Sequence, residues 1–264
     1  MAISRVQGNA RGTTTGSSIA VTMASTPISG NVLVAVIGTY RSGSVAIVNS
    51  ITQTGVTWTK QISKAVGTTL NIEIWLGVVS SGASKNITIT LNQAATYGAV
   101  ADVCEYSGVA TSNFLDKTAT NSGSSKYPDT GTTATTTMAN ELWIGGTVPT
   151  EPQSSPTNGF TLLDGALYNT TMSVGYLEKI VSSTGTAHSS TTTADSVSWG
   201  GCIATFKGAG TAYSKTVSEI LGLVDAKSTK TAFHKTSSEI LGLVDGYDKN
   251  RCKKCKPSSV IVTF

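Results

Sequence analysis

Short apolar runs bounded by Gly, Asn, Ser and Pro recur along most of this chain, and none of them is long. Ile72, Ile74 and Leu76 occupy every second position, so the period of two places them on one face of a strand. The run 31–38 is apolar on both faces, as expected for a central strand covered on both sides. No helical stripe of comparable length occurs before Gly208. The pattern predicts an all-β body over residues 1–208.

Composition agrees with this prediction. Only 13% of the residues are charged, and Thr, Val, Ile and Ser fill the spaces between glycines, which is typical of β-rich surfaces and not of disorder. We predict strands near 19–23, 32–40, 44–51, 56–62, 70–79, 86–91, 97–106, 133–138, 141–148, 160–163, 172–181, 187–193 and 196–206.

The two halves of the body show the same order of features. Each has an aromatic-bearing strand, a Ser-rich turn, a Thr-bearing strand and a closing strand that contains a cysteine, Cys104 in the first half and Cys202 in the second. We interpret this as a pseudo-repeat in which two four-stranded halves interleave into one two-sheet jelly-roll β-sandwich, which leaves few exposed sheet edges.

An exact duplication marks the end of the chain. The octapeptide Ser-Glu-Ile-Leu-Gly-Leu-Val-Asp begins at Ser218 and again at Ser238. Tandem units of this kind cannot bury their apolar residues alone and stack on a neighbour. The expected organisation is therefore a sandwich over 1–208, a linker over 209–213, two 20-residue repeats over 214–249, and a basic segment with a terminal β-prone run over 250–264.

The repeats are expected to drive assembly, whether they form helices or strands. The segments 216–219 and 236–239 match the helix-opening capping box, but Gly222 weakens a helix, so a turn-and-strand structure stays open. In either case the apolar side chains need a partner, which is the other repeat, the sandwich or a second subunit. The residues expected at such a contact are Val217, Ile220, Leu221, Val224, Ile240, Leu241 and Val244.

The charge distribution restricts the partners. Basic and acidic side chains balance over 1–208, so the whole formal charge of +4 belongs to the tail. A body with no net charge is expected to bind nucleic acid poorly, because phosphate contacts need clustered Lys and Arg. The basic cluster 249–256 is either a solubilising end or a contact to an anionic surface. No run approaches the length of a membrane span, and the amino terminus lacks the apolar core of a secretory signal. We expect neither nucleic-acid binding nor membrane insertion.

Histidines and cysteines offer little chemistry. His188 and His234 have no partners at a recognisable spacing for a triad or a metal site, and His234, which replaces a Ser of the first repeat, is expected to be exposed decoration. Cys252 and Cys255 could coordinate zinc, form a disulfide or remain free surface thiols. Cys104 and Cys202 are expected to point into the core. No cofactor is expected.

Carboxylates and aromatic rings provide the remaining candidates. Glu73, Glu105 and Glu178 lie on predicted strands, and a pair of carboxylates would serve a glycosidase, although an isolated strand Glu normally faces solvent. Some aromatic residues could stack on sugars, although most sit where a sandwich core needs bulk. These rings are Trp58, Trp75, Trp143, Trp199, Tyr40, Tyr97 and Tyr168.

Residues 1–208 resemble the jelly-roll β-sandwich domains of tailed-phage virion proteins and of microbial surface proteins. The stretches that carry the likeness are GNVLVAVI, VTWTKQ, EIWLGVVSSGASKNITITL, EYSGV, LDKTAT, ANELWIGG, GFTLLDG and WGGCIATFKG. The tail resembles the Ser-Glu-Ile-Leu-Gly-Leu-type repeats of archaeal and phage structural or surface proteins.

The resemblance is specific for the fold and weak for function. The absent export signal, the neutral hydroxyl-rich body, the modular tail and the missing catalytic set lead us to expect a non-enzymatic structural protein of a virus particle, a capsid or tail component, or of another surface assembly. Its expected partners are further copies of itself and other particle or surface proteins, with glycans a further option, and its expected location is the virion. One alternative is a carbohydrate-binding or adhesive module at a cell surface, and a second is a polysaccharide hydrolase.

Overall fold

The computed structural model describes residues 2–210, and this body is all-β, as predicted. The linker from residue 211 onward, both repeats and the basic end segment lie outside the described residues. Within 2–210 there is no helix that could cross a membrane. The strands are β1 (Ser4–Thr14), β2 (Ser18–Thr22), β3 (Val32–Tyr40), β4 (Val48–Thr52), β5 (Val56–Val66), β6 (Leu70–Val79), β7 (Asn86–Leu91), β8 (Gly98–Ser107), β9 (Leu115–Ser125), β10 (Asn140–Pro149), β11 (Thr161–Asp164), β12 (Leu167–Tyr168), β13 (Met172–Ser173), β14 (Gly175–Ser182) and β15 (Val197–Lys207).

The first half of the body forms its own sandwich. Its large sheet has the order β1-β8-β3-β6-β5, and its small sheet has the order β2-β7-β4. All pairs are antiparallel. This is the two-Greek-key winding of an eight-stranded jelly roll, with β5 hydrogen-bonded to the large sheet. A core between the two sheets contains Leu33, Ile37 and Trp75 on one side and Ile19 and Ile89 on the other.

The second half repeats the large sheet strand for strand. Its order is β9-β15-β10-β14-β11, which matches β1-β8-β3-β6-β5 position by position. No sheet within residues 2–210 contains strands of both halves. The predicted similarity of the halves is therefore confirmed, but the predicted interleaving is wrong. Every strand pairs only with strands of its own half, so each half completes its own hydrogen-bonded ladders.

The small sheet of the second half is replaced by an irregular layer. The segments 133–138 and 187–193, predicted as strands, are joined by isolated bonds from the amides of Thr130 and Thr133 to the carbonyls of Ser189 and Ala187. Between these two bonds the first segment advances by three residues, from 130 to 133, while the second goes back by two, from 189 to 187. A regular antiparallel ladder needs equal steps and cannot form here. A small core of Trp143, Phe160, Leu177, Ala187 and Ile203 lies beneath this layer.

The two large sheets pack face to face. Their shared core, here called the seam, contains side chains of both halves and is almost fully closed to solvent. It includes Val34 and Ile72 from the first half and Leu142, Ile144 and Tyr176 from the second. The central strand β3 is thus covered on both faces, as its unbroken apolar run predicts.

Two glycines allow the sheets of the seam to approach closely. A Cβ at Gly146 of β10 would lie 2.7 Å from Cγ1 of Val36, and one at Gly38 of β3 would overlap Val174. Each half therefore contributes one missing side chain opposite a β-branched residue of the other half. The close contact maximises dispersion attraction between the sheets.

We expect Gly146→Ala to reduce the free energy of unfolding by about 1–3 kcal/mol, because a methyl group there overpacks the seam. Gly185→Ala is the matched control, since its Cβ would meet the Trp143 ring at an ordinary 3.4 Å. Chemical denaturation of both variants measures the difference. Equal stabilities of the two variants would show that the seam is loosely packed at Gly146.

Candidate functional site

The strand carboxylate Glu73 is fully buried, contrary to the expectation of a solvated side chain. It faces the core between the large and small sheets of the first half. Oε1 accepts hydrogen bonds from the amide of Val48 at 2.9 Å and from Asn71 at 2.8 Å. Oε2 accepts the indole N–H of Trp75 at 2.8 Å and lies 3.5 Å from Lys60 Nζ. Every lone-pair direction is thus engaged by the protein, and Glu73 is a structural anchor.

Glu105 is buried in the same manner, which also corrects the expectation of solvent exposure. Its carboxylate accepts the backbone N–H of Ile28 at 2.8 Å, the amide of Asn31 at 2.6 Å and the amide of Gln7 at 2.5 Å. These bonds tie the loop between β2 and β3 to the large sheet. Charge-assisted bonds of this number offset the cost of burying an ionised carboxylate.

Glu178 lies on the other side of the large sheet from Glu73. It projects into the edge of the seam, where it accepts the phenol O–H of Tyr106 at 2.7 Å and lies 3.5 Å from Arg5. Glu73 and Glu178 are on corresponding strands but on opposite faces of the first large sheet. The two carboxylates therefore cannot flank one glycosidic bond, which a paired-carboxylate hydrolase requires.

A carboxyl group that the sequence analysis missed lies in the seam. Asp102 of β8 is fully buried, and neither of its oxygens accepts a hydrogen bond. It pairs across the strands with Arg11, whose guanidinium bonds Asp164 of the second half at 2.7 Å. Asp164 also accepts the backbone N–H groups of Gly165 and Ala166. The sequence signal is a single acid within the otherwise apolar stretch 99–104.

Burial, and then the neighbouring charge of Asp164, raise the pKa of Asp102 to about 8, although Arg11 and Asn9 act in the opposite direction. At neutral pH the group therefore holds a proton. As a protonated acid, Asp102 can donate a hydrogen bond to the carboxylate of Asp164, which Arg11 holds by an ion pair. With no exposed surface, this acid cannot reach a substrate.

The seam makes stability depend on pH. An unfolded aspartate loses its proton near pH 4, whereas folded Asp102 keeps it to about pH 8, so the folded state binds the extra proton in this window. Its contribution is present below pH 4 and is lost as the pH rises, at up to about 1.4 kcal/mol per unit. We expect Asp102→Asn to flatten this decline, since the amide needs no proton to donate to Asp164.

Urea unfolding of both proteins between pH 5 and pH 8 measures the effect as a difference, which cancels contributions from other groups such as Glu141, whose pKa burial raises to about 7. Asp195→Asn, at an exposed position, is the control and should follow the unaltered protein. Parallel curves for Asp102→Asn and the unaltered protein would exclude a proton on Asp102.

His188 makes hydrogen bonds within the irregular layer of the second half. Its Nε2 contacts Asp129 at 2.5 Å and its Nδ1 contacts the amide of Asn158 at 2.9 Å. Burial works against it, but bonds from Asn121, His188 and the Gly131 amide hold the pKa of Asp129 below its ordinary value. Both ring nitrogens are occupied and neither faces a nucleophile, so His188 ties the irregular layer of the second half together.

The aromatic candidates separate into two groups. Trp75, Trp143 and Trp199 are buried and Trp58 is half-buried, so core packing accounts for the tryptophans. Their indole N–H groups bond neighbouring side chains. Tyr40, Tyr97 and Tyr168 instead come together at one end of the body, where the first half meets the β12–β13 hairpin.

Of the four cysteines, the structure describes Cys104 and Cys202. Cys104 and Cys202 are buried free thiols in the seam, as expected, and burial raises the pKa of Cys104 to about 12. No group of three or more His, Cys, Asp or Glu side chains in residues 2–210 is placed to hold a metal ion. The tail candidates lie outside the described residues: Cys252, Cys255, His234 and the assembly residues Val217, Ile220, Leu221, Val224, Ile240, Leu241 and Val244.

Comparison of the chain with protein-family models, with curated proteins and with solved structures gives no match. The all-β, sandwich-like architecture therefore stands on the structure itself.

Proposed function

We propose that this protein is a non-enzymatic structural component of a virus particle or of a comparable surface assembly. The observation that carries the proposal is the seam, which joins the large sheets of the two halves into one closed block instead of leaving a cleft between them. Such a block suits packing or display, because its surfaces are fixed by two sheets that cannot slide past each other.

The polar interior supports the same function. Glu73 and Glu105 use their oxygens for internal bonds, and Asp102 is sealed in the seam. Two surface depressions, with volumes of about 260 and 370 Å³, are lined by residues 8–11 with 22–24 and by 152–154 with 192–194. Neither lining includes an acid, a histidine or a cysteine. In this proposal the buried acids Glu73, Glu105 and Asp102 serve the packing of the body.

The tail supplies the attachment in this proposal. Its duplicated octapeptide repeats the same apolar residues, and such units are stable only when they stack. Together with the resemblance to phage and surface proteins, this favours a body that is displayed or packed and a tail that binds further copies or another particle protein. A cell-surface location is the alternative setting for the same architecture.

Light scattering tests the role of the tail. We expect the full chain to have a mass that is a multiple of 27.1 kDa, and a chain that ends at Gly210 to be monomeric. The shorter chain keeps the bond from the Ala209 amide to the Gly108 carbonyl, so the body remains complete. The full chain with Ile220→Asp and Ile240→Asp should also be monomeric, because a charge cannot be buried in the repeat contact.

A control for these variants is Lys227→Ser, which changes the tail outside both copies of the octapeptide and should leave the mass unchanged. If the full chain and the chain ending at Gly210 are both monomeric, the tail has no role in self-assembly and this part of the proposal fails.

A further inference from the structure

Three tyrosines meet at one end of the body, where Tyr40 and Tyr168 pack against the seam and Tyr97 is exposed. Tyr40 ends β3, Tyr97 directly precedes β8 and Tyr168 lies in β12, and we call this surface the tyrosine end. The rings of Tyr40 and Tyr97 are 4.8 Å apart at their centroids and inclined by 34°. The Tyr168 ring lies against the backbone of Gly98, the residue that pairs with Tyr40.

Hydrogen bonds to the backbone fix the positions of the segments that carry these rings. The Tyr97 amide donates to the Tyr40 carbonyl at 3.2 Å, and the Thr171 hydroxyl lies within bonding distance of the carbonyls of Tyr97, at 2.6 Å, and Tyr168, at 3.2 Å. A Cβ at Gly98, where φ is +153°, would lie 3.0 Å from the Tyr168 ring, so a larger residue would displace it. The surface is therefore preorganised, which lowers the entropic cost of binding.

The rings also remain available to a ligand. Tyr97 is 43% exposed, and Tyr40 and Tyr168 are half-buried. The three phenol hydroxyls make no hydrogen bond to any residue from 2 to 210, unlike those of Tyr106 and Tyr176 in the seam. Packing against the seam explains the buried edges of Tyr40 and Tyr168, whereas the Tyr97 ring is exposed and only its backbone carbonyl is bonded to the Thr171 hydroxyl.

Polar side chains adjoin the tyrosine end. Arg41 follows Tyr40 and bonds to the Ser44 hydroxyl and carbonyl, and its buried Nε has no acceptor among the described residues. The amide of Gln93 bonds Val45 at 2.8 Å, and its carbonyl oxygen lies 3.2 Å from the Ser44 hydroxyl. This edge combines hydroxyl, amide and guanidinium groups with a single charge.

We infer that the tyrosine end binds a neutral saccharide chain, which goes beyond the proposed structural function. The electronegative face of a tyrosine ring attracts the C–H face of a pyranose, and the exposed Tyr97, whose ring is supported by Tyr40 at 4.8 Å, offers such a face. Free phenol hydroxyls match sugar hydroxyls. A nucleic acid would need clustered Lys and Arg, and the charges of residues 1–208 cancel.

Titration calorimetry of the full chain tests this inference with hexasaccharides of β-1,4-glucose, α-1,4-glucose, β-1,4-xylose, β-1,4-mannose and β-1,4-N-acetylglucosamine. We expect at least one of them to bind. Tyr97→Ala should weaken that binding by about tenfold or more, because a stacking face is removed, and Tyr97→Trp should retain it. Circular dichroism of each variant confirms that the sandwich is intact.

Tyr127→Ala is the matched control. Tyr127 is 62% exposed and lies outside the tyrosine end, so its removal should leave the affinity unchanged. Absence of binding by the unaltered chain overturns the inference, and so does equal weakening by Tyr97→Ala and Tyr127→Ala. Light scattering reports assembly independently, so failure of saccharide binding and failure of the structural proposal are distinguishable.

Discussion

The contact between the two five-stranded sheets is the constraint on which the rest of the molecule depends. Strands β3, β6 and β8 are buried on both faces because one face packs in the first jelly roll and the other in the seam. The glycines at Gly38 and Gly146 set how closely the sheets approach. Once these sheets are joined, the ends of the strands and their connecting loops have fixed positions, including the end that carries Tyr40 and Tyr97.

Buried polar groups then determine which arrangement of the halves is adopted. Apolar packing tolerates small shifts, whereas the contacts of Asp164 with Arg11 and of Glu178 with Tyr106 are satisfied in one register only. Both contacts join a residue of the first half to one of the second. The interior acids thus confer specificity on the assembly of the halves, and the large apolar area of the seam provides the stability.

Strands with a clear apolar pattern were predictable from the sequence, and β6 and β7 were predicted at their observed bounds. The edge strands β1 and β9 were missed, because their residues are mostly polar and exposed and carry no period-two signal. Burial of Glu73 and Glu105 was also not predictable, since their donors, such as Asn31 and Val48, are distant in sequence. The clustering of Tyr40, Tyr97 and Tyr168 depends likewise on topology, which spacing along the chain does not reveal.

The matching of the two large sheets bears on how such a chain arises. Every strand of each half pairs only with strands of that half, yet the larger sheet of each half has an apolar face that only the other half covers. A gene encoding one half would therefore specify a polypeptide whose large sheet leaves one face open to a second copy. Joining two such genes end to end turns that concentration-dependent encounter into an event within a single molecule, after which each copy is free to diverge on its outer side.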